Sequence, residues 1–228
     1  MPTWSIIIPA LNEAARIGQH IGALRRLNPE AEIIVVDGGS DDQTVALARE
    51  AGARVVMSER GRGPQCNAGA MQAHGAVLIF LHADTELPAD AFALLEARFS
   101  DPHVQIAKFR LSFASDDPIL ALAARMMWWD SLLTSYGDQG IVIRRTFFDD
   151  LGGFPDWPLF EDVRLFELAR ARTSVHVIPT QVITSARRFN ANGTIPQLLH
   201  DLWLWLQYLI GVPPSELAHR YEQGPVFG

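Results

Sequence analysis

Cysteine is almost absent from this chain: Cys66 is its one thiol. That excludes an intrachain disulfide framework and any thiolate cluster for zinc or iron–sulfur, and it fits a reducing compartment. Cys66 itself reads as a small packed residue. Basic charge is scarce too. Lys and Arg number 19 against 26 Asp and Glu, a formal charge of −7. Non-specific nucleic-acid binding needs a basic surface that displaces counterions, so no nucleic-acid partner is expected, and any anionic ligand must meet local positive charge. No run reaches the roughly 20 apolar residues that span a bilayer. The amino terminus, MPTWSIIIPALNE, carries no basic segment leading into a long apolar region and a small-residue cleavage site. No secretory signal is therefore expected, and the chain is expected in the cytoplasm. Low-complexity tracts and repeats of solenoid length are missing as well.

What is present is a repeated strand–helix pattern. At 228 residues and 48% hydrophobic, the chain suits one compact domain with a substantial core. WSIIIPA reads as a strand closed by Pro9, and AARIGQHIGALRRL places Ile17, Ile21 and Leu24 on one helical face. AEIIVVDGG repeats the strand, with Ser40 as a helix cap before TVALAREAG. ARVVMSE is a third strand, a helix follows over about Pro64 to His74, and AVLIFLHAD is the strand of strongest apolar continuity. Near-continuous apolar strands alternating with helices predict a mostly parallel α/β sheet, covered by helices on both faces. After DTELP the character changes. ADAFALLEARF reads as a helix, QIAKFRLSFAS as a half-buried strand, and PILALAARMMWWDSLL and IPQLLHDLWLWLQYLIGV as apolar helices. In the last, Leu198, Leu202, Trp205 and Leu209 recur at helical spacing. It reads as a core or oligomer-packing helix, which would make a homodimer, or as an interfacial membrane helix.

Three acidic stations punctuate this pattern: Asp37, Asp84 and the pair Glu161-Asp162. The first two close apolar strands, which places them where open α/β sheets bind ligands. That geometry suggests a nucleotide and metal site. The third follows a Gly-Gly-Phe-Pro turn and begins a helix-like stretch, where a carboxylate can serve as general base or simply favour the helix amino end. Arg60 and Arg62, flanked by Gly61 and Gly63, form the compact basic segment, suited to bidentate phosphate recognition or to a solvated loop.

SIIIPALNEA, VVDGGSDDQT, FLHADTELP, GDQGIVIRR and FEDVRL stand in one order along the chain, and together they resemble the successive motifs of family 2 glycosyltransferases with the GT-A fold. RGRGPQCNAG with HADT, GDQG and SARRF resembles a compact bacterial subgroup described as radical-SAM/selenobiology-associated. The likeness runs from Thr3 to about Gly193. It implies a Rossmann-like fold with a nucleotide-binding half over 1–100, an acceptor and catalytic half over 101–194, and an apolar helix and tail over 195–228. It implies that Pro9, Asn12 and Glu13 cup the base and ribose, that Asp37 accepts hydrogen bonds from the base or ribose, and that Ser40 adjoins that contact or caps a helix. Arg60 and Arg62 would meet the diphosphate, Asn67 the donor or the helix start, and Asp138 and Gln139 the donor sugar or acceptor pocket. Arg187 and Arg188 would hold phosphate or make surface salt bridges.

Asp84 is the residue the resemblance assigns to Mn2+ or Mg2+. The chain departs from the family's acid-x-acid pattern here, because His82-Ala83-Asp84 retains one carboxylate, and His82 can ligate, tune the site or pack. Asp162 is the expected base and Glu161 the runner-up, giving single displacement from a nucleotide-diphosphate sugar, uridine-linked by expectation, to a hydroxyl acceptor with inversion. The apolar terminal helix admits a lipid-linked acceptor and peripheral contact with the inner face of a membrane. The alternative from another class is a nucleotide-sugar sensor or assembly protein without turnover. Nucleotidyl transfer is disfavoured, since PALNE stands where its glycine-rich phosphate loop would be.

Overall fold

The computed structural model describes residues 2–225, so Met1 and positions 226–228 of the expected tail lie outside the described residues. The apolar runs become strands β1 (Trp4–Ala10), β2 (Glu32–Asp37), β3 (Arg54–Met57) and β4 (Val77–Phe80). A two-residue strand β5 (Thr85–Glu86), then β6 (Ile106–Phe113), β7 (Ile141–Arg144) and β8 (Val175–Thr184), complete one sheet in the order β3-β2-β1-β4-β7-β6-β8-β5. β1 to β4 pair in parallel. β7 is antiparallel to β4 and to β6, and β8 is parallel to β6.

This topology decides which loops meet. Two antiparallel steps restore direction, so β6 and β8 run the same way as β4. The carboxyl ends of β1, β2, β4 and β8, and the amino end of β7, therefore share one edge of the sheet. Asp37, Asp84, the GDQG turn and the SARRF segment reach that edge together, although they span some 150 positions of sequence.

Strand alternation divides the core into two layers, as side chains of a pleated strand point to opposite faces. Ile6, Ile8 and Ile79 pack with α1 (Ile17–Leu27), α2 (Thr44–Glu50) and α4 (Ala91–Phe99). Ile7, Leu78 and Phe80 pack with α3 (Arg62–Gln72), α6 (Arg145–Leu151) and α7 (Glu161–Arg170). Cys66 lies in this second layer, where burial pushes its thiol pKa up and leaves it an inert packing residue. The helices α5 (Pro118–Met126), α8 (Arg187–Asn192), α9 (Thr194–Leu209) and α10 (Pro214–Gln223) complete the chain.

Four local expectations change. Ser40 does not cap α2: Gln43 occupies the cap position, and the Ser40 hydroxyl is used inside its own loop. α3 begins at Arg62, which draws that arginine out of the expected loop and onto a helix. α5 stops at Met126, before the apolar pattern ends, and Trp129 and Thr134 carbonyls beyond it turn inward onto Lys108. α9 turns only part of its expected stripe inward: Trp205 is buried and Leu198 half-buried, while Leu202 and Leu209 face outward. Gln197, His200 and Gln207 are buried with Leu204 and Trp205, while Leu199, Leu202, Leu206 and Leu209 face outward. Its inward face meets only a small cluster of Leu159, Leu204 and Leu217, and Gln197 is held there by Asn192 and Asp201.

Candidate active site

The first station is a backbone-built loop. Asp37 is wholly buried; its Oδ2 accepts N–H bonds from Gly39 (3.0 Å) and Ser40 (2.9 Å), and its Oδ1 accepts the Ser40 hydroxyl at 2.5 Å. Ser40 Oγ in turn accepts the Asn12 N–H at 2.9 Å, and Asn12 Oδ1 accepts the Asp41 N–H at 3.0 Å. These bonds lock the turn after β1 against the turn after β2. Asn12 sits in the left-handed region at φ 55°, a conformation an asparagine tolerates better than most residues. Asp37 thus organises its loop with the oxygens expected to meet a base or ribose. Pro9 lies half-buried near the end of β1, with Glu13 half-buried just beyond it.

The second station separates into two directions. His82 Nδ1 lies 2.7 Å from Asp138 Oδ1, whereas Asp84 Oδ2 lies 3.1 Å from Arg187 Nη2. The same Nη2 is 3.2 Å from Glu13 Oε1. Burial works against ionisation of Asp138, but the His82 contact, helped by Arg62 and Arg188, lowers its pKa to about 2. His20, nearly buried on α1 between Ile17 and Leu24, has its pKa lowered to about 4 by burial, which outweighs the opposing pull of Asp84. It is neutral at neutral pH.

The third station closes the site. Phe160 is left-handed at φ 63° and turns the chain so that Glu161 and Asp162 open α7. Asn12 and Phe160 are the non-glycine residues with positive φ among the described residues, and both stand at this edge, where strain of order 1–3 kcal/mol each is a mark of function. Asp162 Oδ2 accepts the Gly137 N–H at 2.5 Å and Oδ1 accepts the Val163 N–H at 2.7 Å. Gly137 belongs to the 3₁₀ turn Gly137–Gln139 and lies between acid and imidazole: a Cβ there would stand 3.1 Å from both Asp162 Oδ2 and His82 Nε2. Gly63 allows a similar approach, since a Cβ on it would collide with the Pro155 carbonyl at 2.5 Å while lying 3.6 Å from Glu161 Cβ. Arg62 is thereby brought to the acids. Desolvation opposes its charge, but Tyr221, Glu161, Asp138 and Asp162 outweigh it and raise its pKa. Arg188 stacks over the Tyr221 ring, with its guanidinium carbon 3.8 Å from the centroid, and its charge reaches Asp138 and Asp201.

The two acids of the pair differ. Glu161 is 4% exposed, and burial first, then the Asp162 charge, pushes its pKa up to about 7. Asp162 is partly exposed and oriented by two backbone donors. A single site therefore offers a reachable oriented carboxylate and a buried carboxyl that holds its proton near neutral pH.

Several expected ligand residues serve the scaffold instead. Gln139 is wholly buried: its Oε1 accepts from Tyr136 N–H and Lys108 Nζ, and its Nε2 donates to the Met127 carbonyl. Asn67 clasps the Phe154 backbone, with both N–H···O bonds at 2.9 Å. Arg60 is exposed beside the start of α3. The expected metal pair is drawn apart. Asp84 is occupied by Arg187, His82 by Asp138, and Glu86 is exposed on β5. Among the described residues no group of three or more His, Cys, Asp or Glu side chains converges to hold a metal ion. With Asp84 paired to Arg187 and His82 to Asp138, these two side chains as arranged do not form a cation site.

Two structural residues were missed in the sequence. Gln65 Nε2 donates to the Ala10 and Val36 carbonyls at 3.0 and 2.7 Å, stapling the ends of β1 and β2. Lys108, wholly buried in β6, donates to the Trp129 and Thr134 carbonyls and to Gln139, and burial lowers its pKa to about 7 against the pull of Asp130. Position 20 was legible in part, being one helical turn from Ile17 and Leu24.

Residues 5–150 match the family model described as "Glycosyl transferase family 2". The chain belongs to that family. It is 37% identical over 91 residues to a 4,4'-diaponeurosporenoate glycosyltransferase of Staphylococcus haemolyticus, covering 36% of this chain and 24% of that protein. It is 28% identical over 120 residues to the glucosyl-3-phosphoglycerate synthase of Petrotoga mobilis, covering 46% of this chain and 37% of that one. The chain thus spans well under half the length of these curated relatives. In fold it resembles a Pyrobaculum calidifontis mannosyltransferase solved with GDP-Man and Mn2+ (TM-score 0.65, 19% identity, covering 96% of this chain and 69% of that one). It likewise resembles the Mycobacterium tuberculosis glucosyl-3-phosphoglycerate synthase solved with Mn2+, UDP and phosphoglyceric acid (TM-score 0.66, 20% identity, covering 94% and 80%). The GT-A architecture of this family-2 chain is the mixed sheet and flanking helices described above.

The Glu161 environment predicts a pH-dependent stability. Folding raises this pKa from 4.5 to about 7, so the native state holds the proton more tightly than the unfolded chain. The stability it contributes is complete below the unfolded value and is lost as pH rises through about 7. Glu161→Gln is expected to exceed the native protein in stability by about 1–3 kcal/mol above neutrality, and to match it near pH 4. Urea denaturation across this range checks the crossover; an offset that does not change with pH would contradict it.

Proposed function

We propose that this family-2 chain transfers a sugar from a nucleotide-diphosphate donor to a hydroxyl acceptor by single displacement with inversion. The observation that carries the reading is the oriented, partly exposed Asp162 carboxylate beside Arg62, at the sheet edge that also receives Asp84, Arg187 and Arg188. Residues 1–100 then hold the donor, 101–194 supply the acceptor side and the base, and 195 onward flank the acceptor. A uridine-linked donor is supported by the fold neighbour bound to UDP, with the GDP-Man complex naming the competing base.

The acceptor oxygen bonds to the anomeric carbon from the face opposite the diphosphate, and Asp162 takes the hydroxyl proton. The bond from the anomeric carbon to the diphosphate oxygen breaks, and its electron pair leaves with the nucleoside diphosphate. Arg62 offsets the charge that develops there. Glu161, protonated up to about pH 7 and buried, is a positioning neighbour rather than the base. His82 holds Asp138, and Gly137 fixes the direction of Asp162. No step here is routed through a divalent cation, because the side chains at Asp84 are already engaged.

Asp162→Asn keeps the size, removes the proton acceptor and gives up one of the two backbone N–H bonds, to Gly137 or Val163, that orient the carboxylate. Its kcat is expected to fall about 10²–10⁴-fold, with donor Kd within about threefold of native. Steady-state kinetics paired with calorimetry separates the two; a full-activity Asn variant would rule out the base assignment.

The acceptor side is apolar. Ile119, Leu122 and Met126 on α5 and Leu199, Leu202 and Leu206 on α9 are exposed, and the Thr194 hydroxyl bonds the Asp117 cap that links these helices. Among the described residues no helix is long and apolar enough to cross a membrane. These faces support a lipid-linked acceptor met at a membrane surface. The protein is expected to float with liposomes, and a Leu199→Glu/Leu206→Glu double variant to stay in the bottom fraction; equal recovery with and without liposomes counts against the lipid.

A further inference from the structure

One charged junction at the sheet edge is unused by the reaction as written. Arg187, three residues past β8, places a single nitrogen, Nη2, between Glu13 Oε1 and Asp84 Oδ2 at 3.2 and 3.1 Å. Both anchors are themselves fixed. The Glu13 backbone N–H donates to Thr44 Oγ1 at 2.8 Å, and Asp84 stands in the turn four residues after β4 ends. Arg16 joins the junction from the cap position before α1, its Nη1 3.4 Å from the Ser185 hydroxyl, and that hydroxyl also accepts the Arg187 N–H at 3.2 Å.

Two carboxylates, Glu13 and Asp84, share the one Arg187 guanidinium, with Arg16 reaching only the neighbouring Ser185 hydroxyl. Because both carboxylates use Nη2, the Nε–H and Nη1–H groups have no bond recorded among the described residues. The side chain is 48% exposed. A guanidinium tethered through one nitrogen and open at the others presents the planar fork that suits two phosphate oxygens. The family pattern offers a second carboxylate at position 82, where this chain has a histidine turned away onto Asp138.

The geometry points to Arg187, anchored on Glu13 and Asp84, as the group that binds the donor diphosphate in place of a divalent cation, so that donor binding in this protein needs no metal. This rests on the donor reading above and adds to it how the diphosphate is held. A metal seated on Asp84 would have to displace the guanidinium, and the two arrangements therefore give opposite responses to chelator.

Calorimetric titration of the full chain with UDP and with GDP, in EDTA and in Mn2+ or Mg2+, distinguishes them. The expected result is a nucleoside diphosphate affinity that changes less than about twofold between chelator and metal. Arg187→Ala is expected to weaken it at least tenfold in chelator while its circular dichroism and Tm stay native, with Arg187→Lys in between. Native binding that appears only with Mn2+ or Mg2+ overturns the proposal and leaves the donor reading standing. Native-like affinity of Arg187→Ala in chelator overturns it as well. Absence of binding by the native protein in every condition removes the donor reading and this proposal together.

Discussion

The bond from the Gly137 N–H to the Asp162 carboxylate is the constraint on which the site depends. It ties the turn before β7 to the amino end of α7, and the missing Cβ at position 137 spares a tight contact with His82 and Asp162. On one side of that bond His82 secures Asp138; on the other Glu161 is buried within reach of the Arg62 charge. An acid held by backbone donors loses little entropy on meeting an acceptor, and its direction does not depend on flexible partners. Strain at Phe160 and the close approach of Gly63 to Pro155 serve the same end, setting the start of α7 against the start of α3.

Local polar bonds, more than burial, hold the donor edge. The loops after β1 and β2 are joined by Asn12, Asp37 and Ser40, and Gln65 pins both strand ends from below. Exposed ion pairs such as those of Arg187 contribute little to stability, since solvent screens them. Their place at a ligand edge is better explained by what they present than by what they stabilise. The same holds for α9, whose outward leucines give no core and whose inward Gln197 is held by Asn192 and Asp201 while Gln207 donates to the Trp203 carbonyl.

Much of this was legible in the sequence where the signal is local. Uninterrupted Ile and Val runs ending in Asp37 or followed closely by Asp84 marked the parallel strands and their ligand edge, because strands buried on both faces must be apolar throughout. The Glu161-Asp162 pair after a Gly-Pro turn marked a helix start. What escaped is non-local. Nothing near Asp84 announces that Arg187, 103 positions away, takes its carboxylate. Lys108 occupies a position that alternation alone reads as solvent-facing, yet carbonyls from residues 129 and 134 fold over it. Gln139 and Asn67 belong to motif-like segments but spend their amides on backbone, and the α9 stripe is buried only in part because its partner surface is small.

The account stands or falls on whether the Asp162 edge turns over a sugar nucleotide with inversion. The direct measurement is proton NMR of the protein incubated with α-linked UDP- and GDP-sugars, following the anomeric signals from the first turnovers. The account predicts release of nucleoside diphosphate from one donor series, with the β-anomer formed first. A first-formed α-anomer would contradict the displacement, and donors that bind yet stay intact throughout would make the chain a sensor rather than a transferase.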